Sequence, residues 1–357
     1  MVWSIYRGDP YWVPALIMDR LKVLDPHRNP FWKTASQQLF LAERNGEIVG
    51  RIAAIHDPRY EETYGEKVGY WGFFESIDDQ EVADNLFAAA DRWLAQRGCT
   101  ATLGPLNPSI NDEAGLLVEG FDDPPQVLTT YNPKYYIGLI ESYGFTKEVD
   151  LWGWRLTRAF LTPKLKRVRD IVVGHADLKL RNFRFSPKSA FLEDVGNIHA
   201  IYNSAWEANR GSIRMTDEEI LALGNDLKLV AEKDMVIIAE SGGEPVGFVL
   251  ALPDINQVLI RNRKGGPGGL LRLFLGSRSI TRGRIVALGL IPGFRHRGID
   301  AALYYEIGTR MTGPHRYTES EASWVLEENH PMNHALEMMQ GERYKTWRLY
   351  KNSIKMN

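Results

Sequence analysis

Cysteine is nearly absent from this chain: Cys99 is the single one among 357 residues. A lone thiol excludes a disulfide framework and the cysteine-rich zinc sites. Cys99 reads as a small packing residue at the end of a helix-to-strand connection, and no metal site is expected. An excess of charge of one sign is also missing. The net charge is −2, with 43 Lys and Arg against 45 Asp and Glu. That balance counts against a general nucleic-acid binder while leaving room for a local basic patch. No apolar run approaches the ~18 residues of a membrane-spanning helix, and the start lacks the charged-then-apolar pattern of a secretory signal. The expectation is a cytoplasmic protein with no membrane partner.

What is present is ordinary in bulk and unusual in arrangement. Hydrophobic residues make up 44% and charged residues 25%, as in globular proteins at large. The length suits two domains of roughly 100–200 residues. Ten tryptophans and 15 tyrosines suffice for two cores and an aromatic-lined cleft. The pattern Ala-Glu-x-x-Gly-Glu-x-Val-Gly occurs at Ala42–Gly50 and again at Ala239–Gly247, 197 positions on. Each copy joins two apolar runs through a dipeptide, Asn45-Gly46 or Gly242-Gly243, that supplies the positive φ angles of a tight hairpin. Gly144 and Gly341, each closing a helix, are again 197 apart. The chain therefore reads as two copies of one fold.

The order of expected elements repeats. In the first copy (residues 1–155), a helix around 15–24 precedes the hairpin at 39–56. A strand at 68–74, a helix at 79–96, a short strand at 101–103 and a helix at 135–143 follow. The stretch 145–154 reads as a closing pair of strands. Residues 156–177, rich in Lys and Arg, read as a connection. The second copy (178–357) has a strand at 178–185, a helix at 192–206 and the hairpin at 235–252. After these come a strand at 284–291, a helix at 301–311, a strand at 317–326, a helix at 332–340 and a closing strand at 344–350. The fold class is a mixed-sheet α/β protein built by tandem duplication.

The chemistry concentrates in the second copy. The strand Leu288-Gly289-Leu290-Ile291 runs into Gly293-Phe294-Arg295-His296-Arg297-Gly298-Ile299, and a helix starts at Asp300. A strand, a basic glycine-containing turn and a helix N-terminus make an anion site, because backbone N–H groups and the helix dipole converge there. This order of elements with the Arg295-x-x-Gly298 turn resembles the GNAT superfamily of N-acetyltransferases. The resemblance extends to a bacterial group of two-copy GNAT-like proteins through Gly72-Phe73-Phe74-Glu75, the 104–113 loop and Ser323-Trp324-Val325-Leu326-Glu327. It implies acetyl-CoA or another acyl-CoA, with the pyrophosphate on the amides of Arg295, His296, Arg297, Gly298, Ile299 and Asp300. It also implies pantetheine along Leu290-Ile291, where the sheet splays, with Asn329 or Asn333 as a further partner. Asp300 stands where the family has Gly or Ala; it either caps the helix or opposes the phosphate. Gly298→Glu is expected to abolish coenzyme A affinity and leave the fold intact.

For proton transfer the resemblance points to Glu319 and Glu321, which share a strand face, and to Tyr344 as an acid for the departing thiolate. Trp206 and Asn209 fall where acceptors enter in such folds, although aromatic packing accounts for Trp206 as well. In the first copy, the acidic run Glu75 to Glu81 follows the equivalent strand, so that copy is expected to bind no cofactor. The polar loop 104–113, with Glu119 and Asp122 beyond it, suits either an amine or its own backbone. Residues 261–284, with Arg261, Arg263, Lys264, Arg272, Arg278, Arg282 and Arg284 and no acid, form an insertion suited to a phosphate or an anionic partner. The function expected is acyl transfer from acyl-CoA to a small-molecule or peptide amine by direct attack, since no Cys or Ser–His nucleophile is evident. The alternatives are a non-catalytic ligand-binding protein and an aminoacyl-tRNA-dependent transferase, with tRNA as partner. The oligomeric state is not legible.

Overall fold

The computed structural model describes residues 1–174, 177–207, 209, 211–314 and 317–354. It is a mixed α/β protein with two compact units. One holds Met1–Leu151, Val258–Phe274 and Lys345–Asn357, and the other Trp152–Gln257 and Leu275–Tyr344.

The repeated motif forms the same object in both units. Strands Ser36–Arg44 and Glu47–His56 pair around Asn45 and Gly46, at φ 54° and 80°. Strands Val236–Ser241 and Glu244–Pro253 pair around Gly242 and Gly243, at 61° and 90°. Both turns have the two positive φ angles of the hairpin type whose twist matches its strands. Even the bulge repeats, between Ala42 and Glu43 and between Ala239 and Glu240. The closing glycine is required for local space. A Cβ on Gly50 would lie 2.7 Å from Leu86 Cδ1, and one on Gly247 would collide with Leu290 Cδ2.

In the first unit, strand Val68–Ser76 lies antiparallel to Glu47–His56 and parallel to Ala101–Gly104. Helix Gln80–Ala95 covers this sheet with Leu86, Phe87, Ala90 and Leu94. These pack with Trp71, Phe74 and Tyr136, and the Phe74 and Phe87 rings stack at 4.8 Å. Each such side chain contributes ~1.5–3 kcal/mol on burial. The sheet is completed from the far end of the chain: Tyr350 pairs with Gly104 and Ser353 with Ala101.

In the second unit, strand Arg282–Leu290 lies antiparallel to Glu244–Pro253 and parallel to Glu319–Leu326. Helix Lys188–Trp206 packs Phe191, Val195 and Ile201 with Ile238 and Phe248. Helix Ile299–Thr312 buries Ala302, Leu303, Ile307 and Met311. The stretch read as a connection contains a helix, Pro163–Gly174, which runs against Ile299–Thr312 and bridges Arg169 to Glu306 at 3.3 Å. A single strand, Thr146–Thr157, stands where a closing pair was expected, and its residues from Trp152 on belong to the second unit. So each unit takes in strand residues from the sequence half that reads as the other copy.

Candidate active site

The feature that builds the site is where a strand pair stops. The parallel pairing of Arg282–Leu290 with Glu319–Leu326 lasts four residues, from Arg282↔Glu319 to Ile285↔Ala322. Both strands continue beyond it. A bulge in the pairing to Glu244–Pro253, between Leu250 and Ala251, falls opposite the same point. A bulge sharpens the local twist, and here the neighbours part. Past the opening, Val286, Ala287 and Leu288 become half-buried between the buried stretches Gly283–Ile285 and Gly289–Leu290. Ile291 N–H donates to Val246 C=O, so by strand alternation the peptide groups of Leu288 and Leu290 face the opened edge. Leu290 itself is buried.

Beneath this edge lies the turn. Pro292–Phe294 is a single 3-10 turn, His296 takes a left-handed φ of 61°, and Gly298 at φ 75° starts the 14-residue helix Ile299–Thr312. No side chain caps that helix, so its first-turn N–H groups have no intrahelical partner. The side chains of Arg295, His296 and Arg297 are exposed, and Asp300 is half-buried in the first turn. Arg295 reaches back to donate to Ala205 C=O at 2.8 Å, and Arg297 lies over the Phe294 ring. These residues fit a diphosphate-bearing ligand: uncapped amides, three basic side chains and one carboxylate. The glycine at 298 is needed for a second reason. A Cβ there would sit 2.9 Å from Val168 Cγ1 of helix Pro163–Gly174. Gly298→Glu would therefore disturb this helix packing, which corrects the expectation that it spares the fold.

At the foot of the opening is a buried polar cluster. Arg284 is 2% exposed and Glu321 0%, and the two are register partners 3.7 Å apart. Arg284 donates from Nε to Ser323 Oγ and from Nη2 to Ser323 C=O, both at 2.9 Å, and its guanidinium faces the Trp324 ring at 5.0 Å. Ser323 Oγ donates to Glu321 Oε1 at 2.5 Å, and Tyr344 O–H donates to Glu321 Oε2. The guanidinium, the carboxylate and both hydroxyls of the set are hydrogen-bonded to one another, which a buried charge requires. Tyr344, half-buried on strand Glu342–Ser353, also stacks under Arg155 at 4.2 Å. Glu319 shares the strand face with Glu321 but is held by Arg282 and Arg155.

The other expected site residues have structural partners. Asn329 caps helix His330–Met338 by accepting from Met332 N–H at 3.3 Å. Asn333, 5% exposed, accepts from Trp154 Nε1–H and donates to Leu326 and Glu327 C=O. Trp206 stacks on Tyr202 at 4.4 Å and fills the space beside Gly289, where a Cβ would lie 2.5 Å from its Cζ3. Asn209 forms a turn on Trp206 C=O. The strand starts two residues before the expected 284, so Arg282 leaves the basic insertion, and Arg282 and Arg284 pair with Glu319 and Glu321; sequence reading missed Arg284 and Ser323 as members of the cluster. The signal was available: Arg282, Arg284 and Glu319, Glu321, Ser323 each recur at period two, which puts them on one face.

The first unit has the same opening and fills it. Its parallel pair ends at Tyr70↔Leu103. The chain then turns back, and Phe73 N–H, at φ 50°, donates to Asn107 Oδ1 at 2.6 Å. A Cβ on Gly72 would collide with Leu106 C=O. The 104–113 loop thus pairs Leu106–Asn107 with Glu113–Ala114 and occupies the strand edge. Of the acidic run, Asp79 caps helix Gln80–Ala95 by accepting from Val82 N–H at 3.1 Å and is paired with Arg44. Glu75 accepts from Tyr136 O–H at 2.8 Å, and burial pushes its carboxyl above the usual range. Glu119 accepts from Thr346 Oγ1–H at 2.6 Å.

No model of a known protein family matches the chain. It is 35% identical over 354 residues to the bacterial ceramide synthase of Caulobacter vibrioides (strain NA1000 / CB15N), spanning 97% of this chain and 91% of that protein. It is 33% identical over 359 residues to Protein YghO of Escherichia coli (strain K12), spanning 98% and 90%. Among solved structures, a tandem GNAT protein from the clavulanic acid biosynthesis pathway superposes with a TM-score of 0.54 at 10% identity, covering 91% of this chain and 85% of that one. A GCN5-related N-acetyltransferase from Sphaerobacter thermophilus gives 0.50 at 13% identity, covering 90% and 82%. At these identities the structural likeness is one of fold. The chain belongs to the family that contains the bacterial ceramide synthase and Protein YghO, and its fold is that of a tandem GCN5-related N-acetyltransferase.

Proposed function

We propose that this protein transfers an acyl group from acyl-CoA to a primary amine, and that the acceptor is a long-chain amine. The observation that carries the reaction type is the parting of strands Arg282–Leu290 and Glu319–Leu326 above the buried Arg284–Glu321–Ser323–Tyr344 cluster. The acceptor class rests on the 35% identity to a protein named for making ceramide, the amide of a fatty acid with a long-chain amino alcohol.

Acyl-CoA, when bound, supplies the acyl group as a thioester open to attack by an amine. The Leu290-Ile291 end of the strand would hold its pantetheine arm, and the amides from Arg295 to Asp300 with Arg297 would hold its pyrophosphate. Glu321 accepts the proton that the attacking amine sheds, directly or through the Tyr344 hydroxyl bonded to it. Arg284 lies beside Glu321 at 3.7 Å and holds the carboxylate in place. In this reading Tyr344 returns a proton to the departing thiolate and regains one from Glu321, so the pair moves one proton and ends as it began. Glu319, neutralised by two arginines, tunes the field at the mouth of the strand pair. Trp206 and Asn209 border the acceptor's path, and Asn329 and Asn333 fix the helix beside the opening.

The test follows free thiol released by the purified protein from acetyl-CoA or palmitoyl-CoA, with and without sphinganine. Amine-dependent release, lost in Glu321→Gln, supports the reading. Tight acyl-CoA binding with no release for any amine would replace it with a non-catalytic binding protein.

A further inference from the structure

Two short helices, Ile17–Leu24 and Gly268–Gly276, carry apolar side chains left exposed among the described residues. None of the residues of Ile17–Leu24 is buried, and in Gly268–Gly276 only Gly269 is. Met18 is 60% and Leu21 62% exposed; Leu271 is 62% and Phe274 82% exposed. The spacing is the same in both: 17, 18, 21 and 270, 271, 274 place three apolar side chains on one stripe.

The two helices are held together by built contacts. Ile17 N–H donates to Gly265 C=O at 3.0 Å. A Cβ on Gly265 would lie 2.7 Å from Ala15 C=O, and one on Gly269 would lie 2.6 Å from Leu16 Cδ2. Both glycines thus serve close approach. Arg263 donates to Trp12 C=O at 2.7 Å and to Asp9 C=O at 2.6 Å, and its guanidinium faces the Trp12 ring. Arg263 is therefore part of the scaffold. Arg261, Lys264 and Arg272 are exposed around the stripe. The chain has no Asp or Glu between Asp254 and Asp300; Asp19 is the one carboxylate on the Ile17–Leu24 helix.

We infer that this face docks on an anionic lipid bilayer, with Met18, Leu21, Leu271 and Phe274 entering the headgroup layer and the basic side chains meeting lipid phosphates. Exposed apolar side chains grouped on one surface mark interaction sites, and an apolar stripe flanked by Lys and Arg is the composition that binds anionic membrane surfaces. A second copy suits the face less well, since self-association would bring its arginines and lysines together. None of the described helices is long and apolar enough to cross a membrane, and surface docking needs none. The inference stands without the acyl-transfer reading, because its test uses no substrate.

Full-length protein is sedimented with vesicles of phosphatidylcholine alone and of phosphatidylcholine with phosphatidylglycerol. Binding is expected to be about tenfold or more tighter with the anionic lipid and to weaken with added salt. The double variant Leu271→Glu/Phe274→Glu should lose it while keeping the melting temperature, since both side chains are exposed; Lys264→Glu/Arg272→Glu should lose the preference for anionic lipid. Absence of binding to anionic vesicles at low salt overturns the inference. So does a lipid-free dimer that Leu271→Glu/Phe274→Glu dissociates, which would assign the face to a second copy.

Discussion

The first unit parts its parallel strands after three register pairs and the second after four, and the two openings have opposite contents. In the first, Leu106 and Asn107 lie against the free edge, and the Asn107 side chain takes the Phe73 N–H. In the second, the equivalent edge at Leu288 and Leu290 runs into an exposed basic turn. The helix that follows shows the same contrast. Asp79 caps Gln80–Ala95 with its own carboxylate, whereas Ile299–Thr312 starts at Gly298 without a side-chain cap. A helix N-terminus whose amides are already satisfied has little left for an anion. The comparison teaches that two copies of one fold can differ at the same strand edge through one loop, whose Leu106 and Asn107 cover it, and one capping aspartate.

The largest effect that would break this contrast is at the buried cluster. Glu321→Gln keeps the shape and removes the charge, and turnover should fall about 10²–10⁴-fold with acyl-CoA affinity unchanged. Retained turnover would mean that the cluster is structural. Glu321→Ala strands Arg284 in the interior and should cost about 3–5 kcal/mol in a urea titration. Next comes the turn. Arg297→Glu reverses an exposed charge beside the uncapped amides and should weaken coenzyme A binding about tenfold or more. Calorimetry should count one site per chain in the wild type; two sites would show that the first opening is not closed.

Asn107→Ala sharpens the comparison from the other side. It leaves the Phe73 N–H without its acceptor, so the first unit should lose about 1–3 kcal/mol. It should gain no affinity for coenzyme A, because Leu106 still covers Gly72 and Asp79 still caps the helix. Asp79→Ala should cost about 1 kcal/mol; circular dichroism melts would separate these from the wild type.

The repeated hairpins were legible because a two-residue turn, its bulge and its closing glycine are local devices that the sequence spells out. The opening of the strands came from resemblance, and the residues at its foot from alternation that was only half used. Arg282 reads as part of a basic loop, and Arg284 as both the loop's end and the strand's first residue, because Gly283 and the preceding run of Gly, Ser and Arg disguise the start of the strand. Asn107 could not be read as a plug, since its partner Phe73 lies 34 residues away and nothing in a polar loop names it. The capping box Thr216–Glu219 that starts helix Asp217–Leu227 is spelled out in the sequence as Thr-x-x-Glu. The assignment of the Thr146–Thr157 and Glu342–Ser353 residues to units was beyond reach. Both stretches alternate as strands, and alternation says which face is buried, never which sheet is joined.

The last contrast is electrostatic and has a sign. In the second unit Asp194, fully buried, accepts from Arg181 and Arg184 and from Arg184 N–H. Burial works to raise its carboxyl, and the two arginines outweigh burial and bring it down to about 2. A folded value below the unfolded one, about 3.9, means that its stabilisation is complete above that value and is lost as pH falls toward 2. In the first unit Glu75 behaves in the opposite way. Burial raises it, Arg51 and Tyr136 offset part of the rise, and the net shift is upward. Its folded form is then favoured when protonated, and stability from this group is lost as pH rises through the raised value. Urea titrations across pH should separate the two. The deficit of Asp194→Asn should be full at neutral pH and shrink between about pH 4 and pH 2. Glu75→Gln, which removes a buried charge and keeps a hydrogen-bonding amide, should gain on the wild type as pH rises from acid to neutral. If both variants moved in the same direction, the two carboxylates would share one kind of environment. The electrostatic contrast between the arginine-clamped Asp194 and the burial-dominated Glu75 would then be lost.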